Sequence, residues 1–280
     1  MKGVARSVLG LGVGLALSSC AVREPAREPV PAASPEAAPS GAATAREVVF
    51  PASDGAPVWG DLHLAQGDAE APVLLLFHQG GGDARGEYAP IVPRLVSEGY
   101  HVLAADLREG GELFGGGNRT LAARDGIGSG YCAAYPDLEG ALRFVREQGL
   151  HGPCVAWGSS FSGALVLRLA RDHADELAGV IAFSPASGEP MQGCPSTDFA
   201  ADVRIPALCV RPASEAARET VRAQLEQFEA LGLETWVADP GVHGSSSLVA
   251  ERAGGDVEPS WRVTLEFLAR ACDLDDRPRE

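Results

Sequence analysis

The sequence predicts a single α/β domain built on a mostly parallel sheet with helices on both faces. Short apolar runs such as PVLLLFH (Pro72 to His78) and GVIAFSP (Gly179 to Pro185) read as strands buried on both faces. They alternate with longer stretches of helical period, which is the succession a parallel sheet requires. Between two such elements, CVAWGSSFSG (Cys154 to Gly163) runs from an apolar strand through an abrupt turn into a helix. With 280 residues, 45% of them hydrophobic, the chain can bury one sizeable core.

Taken in order, the chain opens with a basic start at Lys2 and Arg6, an apolar core from Val8 to Leu17 too short to span a bilayer, and LSSC. Leu17, Ser18, Ser19 and Cys20 resemble the lipobox of bacterial lipoproteins. That resemblance implies a signal peptide over 1–19, lipid on Cys20 and a lipid-anchored protein of the bacterial cell envelope. An ordinary secretory signal cleaved nearby is the alternative. Residues 21–44 are rich in Pro, Ala and Glu without hydrophobic period and predict a tether, so the folded domain is expected over 45–280. A formal net charge of -15 repels phosphates and argues against a nucleic-acid partner.

EVVFPAS (Glu47 to Ser53) and APVWGDLHLA (Ala56 to Ala65) predict an edge hairpin about Asp54 and Gly55. The strand Pro72 to His78 stops at QGGG and is followed by a helical period at Tyr88, Ile91, Val92, Leu95 and Val96, then by a strand from Tyr100 to Asp106. Leu107 to Pro136 is Gly-rich and aperiodic, and a loop of that length in a compact domain is usually functional. A helix then starts with Asp137 as its expected N-cap. Beyond Gly179 to Pro185 lie an irregular loop Ala186 to Val203, a strand Pro206 to Arg211 and a helix from about Glu215 to Leu231. The last strand runs from Glu234 to Asp239, with PGVHGSSS after it and a terminal helix from Trp261 to Ala271.

The chemistry centres on the turn. Gly158 and Ser162 place small residues two positions either side of Ser160, as a strained serine turn needs, and the Ser160 hydroxyl is expected above the sheet edge. Ser159 would need Trp157 at its minus-two position, and Ser162 would lie inside the helix, so Ser160 is the candidate nucleophile. Ligands of such sheets lie outside the carboxyl ends of the strands. Of six histidines, His243 alone stands in a loop after the last strand, free to swing over Ser160 and act as its base. Glu215, shortly after the strand ending at Arg211, is the best-placed acid for the other imidazole nitrogen, with Glu189 and Asp239 as rivals. The N–H of Phe161 and that of either Gln79 or Gly80 are the candidate oxyanion donors.

With Ser160, Glu215 and His243 in the order serine, acid, histidine, the chain from about Ala45 to Ala271 resembles the α/β-hydrolase superfamily. Lacking a large helical insertion, it is similar to the dienelactone-hydrolase-like group. The resemblance implies an eight-stranded sheet with no large lid domain. It also implies hydrolysis of an ester or related acyl bond with no cofactor; a small or medium carboxylic ester or thioester, cleaved through an acyl-enzyme with no metal, is the expected substrate. FHQGGG departs from the group's usual His-Gly start at Gln79. The dienelactone enzymes use cysteine where this chain has Ser160, so their substrate does not carry over. A peptidase or amidase on the same fold, and a non-catalytic envelope binding protein, are the alternatives. The loops Leu107 to Pro136 and Ala186 to Val203 are expected to wall the pocket, Phe114, Tyr131 and Tyr135 giving apolar surface and Arg108 or Arg119 holding a carboxylate. Cys154 and Cys209 read as small buried hydrophobes, whereas Cys132 and Cys194 lie in those two loops, where bridged and free states are both open. The sequence leaves the oligomeric state open.

Overall fold

The strands fall where the apolar runs are: β1 Ala45–Pro51, β2 Pro57–His63, β3 Val73–Phe77, β4 His101–Asp106, β5 Cys154–Ser159, β6 Gly179–Phe183, β7 Ala207–Pro212 and β8 Glu234–Ala238. They belong to a computed structural model that describes residues 45–66 and 69–273. One sheet contains all eight in the order β1-β2-β4-β3-β5-β6-β7-β8. β1 pairs antiparallel with β2, as the predicted edge hairpin requires, and β2 pairs antiparallel with β4. From β4 to β8 every neighbour is parallel. Because β3 continues to β4 on one side and pairs with β5 on the other, the order reverses between β3 and β5, the switch point beyond whose strand ends such sheets bind their ligands.

Side-chain alternation explains why the central strands are apolar throughout. Val73, Leu75 and Phe77 of β3 enter one layer with Leu138, Leu142 and Leu165, while Leu74 and Leu76 enter the other with Tyr88, Leu95 and Leu268. Full burial of each such side chain is worth about 1.5–3 kcal/mol, so the sheet centre is the rigid platform on which the loops are mounted.

Four local expectations differ from the structure. The helix expected through Tyr88 and Val96 is two helices, Ala84–Tyr88 and Val92–Ser97. Pro90 and Pro93 bracket the break, and neither can donate a backbone hydrogen bond. Asp137 is not an N-cap: its helix is Tyr135–Glu147 with Pro136 in the first turn. The Asp137 carboxylate is fully buried and accepts from Arg108 Nε at 2.8 Å and Nη2 at 2.6 Å. The helix expected over Glu215 to Leu231 is Ala213–Ala216 followed by Glu219–Ala230, with Arg218 extended between them. Glu215 therefore belongs to a single turn attached directly to the end of β7.

The fourth difference concerns the two arginines expected to hold a carboxylate. Arg108 is bound by Asp54 and Asp137, and Arg119 by Asp106, Asp61 and Glu47. Both guanidinium groups tie the long loop to the edge of the sheet. That loop contains a short helix, Arg119–Ala122, and a 3₁₀ turn, Tyr131–Ala134. A disulfide, Cys132–Cys194, joins it to the loop after β6, with Cα atoms 5.7 Å apart. The expected signal peptide, Cys20 and the expected tether lie outside the described residues. Among the described residues no helix is long and apolar enough to cross a membrane.

Candidate active site

The turn after β5 puts Ser160 at φ 61°, ψ -116°, a backbone that L-residues rarely adopt. It needs small neighbours, since a methyl group on Gly158 would lie 2.3 Å from the Ser162 carbonyl oxygen. The three adjacent serines have different surroundings. Ser162 is buried, donates to the carbonyls of Phe77 (2.7 Å) and Ser159 (2.9 Å), and accepts from the N–H of Ser159. Ser159 Oγ is buried against Ser245 Oγ at 2.5 Å and accepts the N–H of Ser245 at 2.9 Å. Ser160 is half-buried, and its hydroxyl makes no hydrogen bond to another described residue.

His243 follows β8, two strands beyond β6, so its loop must return across the strand ends to approach β5. It is pinned there rather than free to swing. Gly244 N donates to Ser184 Oγ (3.1 Å), Ser245 N and Oγ engage Ser159, and Trp157 Nε1 donates to Ser245 Oγ at 2.8 Å. Ser245, two residues after His243, is thus fixed to Ser159, the residue next to Ser160. Half of the imidazole remains exposed, and its Nδ1 lies 2.5 Å from Glu215 Oε1. Glu189 and Asp239 are both exposed and make no described contact with His243.

The other Glu215 oxygen accepts from Arg211 Nη1 at 2.8 Å. Burial alone would raise the Glu215 pKa, but the bonds from His243 and Arg211 outweigh it and hold the carboxyl down at about 2. Arg211 is itself buried and also donates to the Pro185 carbonyl and to Gln224 Oε1. Sequence reasoning missed this arginine. Its signal was a cation closing the apolar strand PALCVR, four residues before a carboxylate.

At the end of β3, register sets the next component: Phe77 pairs with Gly158, so the QGGG loop lies beside the serine turn. Gln79 does not suit the role of oxyanion donor, because its N–H donates to Glu87 Oε2 at 2.7 Å. Burial pushes the Glu87 carboxyl up, against the hydrogen bond from the Gln79 N–H and the charge of Arg252. Gly80 N–H, by contrast, makes no hydrogen bond to a described residue. Phe161 opens its helix, so its N–H has no intrahelical acceptor. His78 is structural, accepting the N–H of Leu107 at Nε2 (2.9 Å).

A cavity of about 470 Å³ opens beside His243 and Glu215, with Ser184, Ala186, Arg218 and Val221 also in its walls. Of the three aromatics expected to line a pocket, Tyr131 alone reaches the site. Phe114 lies under Arg252, and Tyr135 packs against Arg168 and donates to Asp172. A hollow of about 510 Å³ over β2 and β4, walled by His63, Tyr88 and Val92, includes none of Ser160, His243, Glu215, Gly80 and Phe161. Among the described residues no group of three or more His, Cys, Asp or Glu side chains could hold a metal ion.

Residues 69–227 match the family model described as serine aminopeptidase, S33, a stretch that holds Ser160 and Glu215 and ends before His243. No curated relative matches significantly. A Klebsiella pneumoniae protein assigned as a dienelactone hydrolase superposes with TM-score 0.64 at 19% identity, covering 81% of this chain and 99% of that one. An esterase of Pyrococcus furiosus gives 0.61 at 16%, covering 82% and 92%. The acylaminoacyl peptidase of Pyrococcus horikoshii gives 0.59 at 17%, covering 84% of this chain and 43% of that one. The shared fold is the α/β-hydrolase fold.

Proposed function

Because the chain belongs to the serine aminopeptidase, S33, family of hydrolases, we propose that it is a serine hydrolase of carboxylic esters or thioesters with Ser160, His243 and Glu215 as its triad. One observation carries the reading: an imidazole in contact with a buried, ionised carboxylate sits in a loop whose Ser245 is bonded to Ser159, next to a serine in strained backbone. With Glu215 ionised, Nδ1 is the donor of that bond, which leaves Nε2 as the acceptor a serine hydroxyl needs. Ser160 Oγ attacks the carbonyl carbon while its proton passes to His243 Nε2. The charge that forms on the carbonyl oxygen is met by the N–H groups of Phe161 and Gly80. The imidazolium then protonates the leaving alcohol or thiol, and water hydrolyses the acyl-serine by the reverse proton route. The serine and imidazole make no hydrogen bond in the free protein, and such bonds often tighten only with substrate.

The family description and the likeness to an acylaminoacyl peptidase favour a second reading, cleavage of an aminoacyl amide. An aminopeptidase needs an anion for the substrate ammonium group. The carboxylate in this cavity wall is Glu215, already engaged by His243 and Arg211, and Arg218 beside it is a cation. Ester chemistry is therefore preferred. A fluorophosphonate probe should label the wild type and not Ser160→Ala, and chromogenic esters should turn over far faster than aminoacyl anilides. Equal labelling of the variant would overturn the assignment of the nucleophile, and the reverse substrate preference would overturn the ester reading. The LSSC pattern supports a further part of the proposal, that the mature protein is held in the bacterial envelope by lipid on Cys20.

A further inference from the structure

We propose that Tyr131 is a further catalytic residue, its phenolic hydroxyl donating to the oxyanion beside the N–H groups of Gly80 and Phe161. This rests on the serine-hydrolase reading above. A methyl carbon built on Gly80 would lie 2.5 Å from Tyr131 Oη and 2.9 Å from Cζ, so the phenol fills the space a side chain at that position would take. On its other side the Tyr131 ring lies over the Phe161 ring, centroids 4.6 Å apart and planes within 22°. The phenol is therefore in contact with both residues that supply the backbone donors.

Tyr131 is half-buried, and its hydroxyl makes no hydrogen bond to another described residue. Elsewhere, Tyr88 donates to the Phe77 carbonyl at 2.6 Å and Tyr135 to Asp172 at 2.8 Å. A phenol that packs tightly yet keeps its proton unengaged at the site has a donor left for the substrate. The backbone holds it in place: Tyr131 begins the 3₁₀ turn Tyr131–Ala134, and the next residue is bridged to Cys194. The need for a side-chain donor also has a local cause. With the N–H of Gln79 committed to Glu87, Gly80 and Phe161 are left as the backbone pair, and the phenol makes a third. During attack the hydroxyl only strengthens a hydrogen bond to the developing charge. It keeps its proton, and the bond relaxes when the carbonyl reforms.

The test is Tyr131→Phe, which keeps the ring, its stacking on Phe161 and its packing against Gly80. With a short-chain p-nitrophenyl ester, kcat is expected to fall on the order of 10²-fold, the loss seen when one oxyanion donor is removed. KM and the thermal midpoint should stay near those of the wild type, and inhibition by an alkyl boronic acid, which forms a tetrahedral adduct, should weaken by a similar factor. Wild-type kcat in Tyr131→Phe, whatever Tyr131→Ala does, would reduce the residue to a wall of the site and overturn the proposal. Failure of the underlying reading looks different: the wild-type protein itself would neither react with a fluorophosphonate nor hydrolyse esters.

Discussion

Replacing Glu215 with Gln separates the two things that carboxylate does. In the folded chain its pKa is held at about 2 against an ordinary value of 4.5, by His243 and Arg211 acting against burial. At about 1.36 kcal/mol per unit the shift sets an upper bound of about 3 kcal/mol on what ionised Glu215 contributes to stability, and with a neutral imidazole beside it and partial solvent screening the contribution at neutral pH is smaller. The folded value is the depressed one, so this contribution is complete above pH 4.5 and is lost as pH falls towards 2. Glu215→Gln should therefore lower the thermal midpoint at pH 7, by at most roughly 12 °C for a domain of this size. That gap should close as both proteins are titrated towards pH 2. Activity should fall much further. A Gln amide can donate to Nδ1 and leave the proton on Nε2, the tautomer that cannot accept from serine, a defect worth roughly 10⁴-fold in kcat in a serine protease. Ester turnover measured at a temperature well below both measured midpoints keeps the two effects apart. A kcat within tenfold of wild type, with a severe loss in Glu189→Gln or Asp239→Asn instead, would refute the assignment of the acid. A stability gap independent of pH would refute the electrostatic account.

Ser160→Ala should abolish turnover with little change in thermal midpoint, because the hydroxyl it removes makes no hydrogen bond to another described residue. Ser160→Gly should be equally inactive but more stable than Ser160→Ala, since only glycine adopts φ 61° without strain. Any residual ester turnover in either variant that tracks enzyme concentration would count against Ser160. The Cys132–Cys194 bridge closes a loop with a sequence separation of 62. Replacing both cysteines with Ser should cost up to about 4 kcal/mol by chain entropy, and dithiothreitol should lower the midpoint of the wild type but not of the double variant. Cys20→Ser should abolish incorporation of labelled fatty acid and release the protein from the membrane fraction; unchanged labelling would remove the lipobox reading.

What the sequence determined by itself was local. An apolar run buried on both faces looks the same in any such fold, so PVLLLFH marks β3 without reference to its neighbours. Steric demands two residues either side of a sharp turn are also local, which is why GSSFS exposes the serine turn, and the sequence placed the candidate groups after β5, β7 and β8. The rest was decided by partners far along the chain. Ser159 and Ser162 are engaged by Ser245 and Phe77, 86 and 85 residues away. Arg108 meets Asp137 across 29 residues and so became a structural tie rather than a substrate anchor. Gln79 and Gly80 differ because the Glu87 carboxylate faces one amide and not the other. Short-range patterns reflect backbone periodicity and steric fit, which a few consecutive residues set. The direction in which a polar group is used depends on which donor or acceptor the folded core brings to it, and packing alone makes that choice.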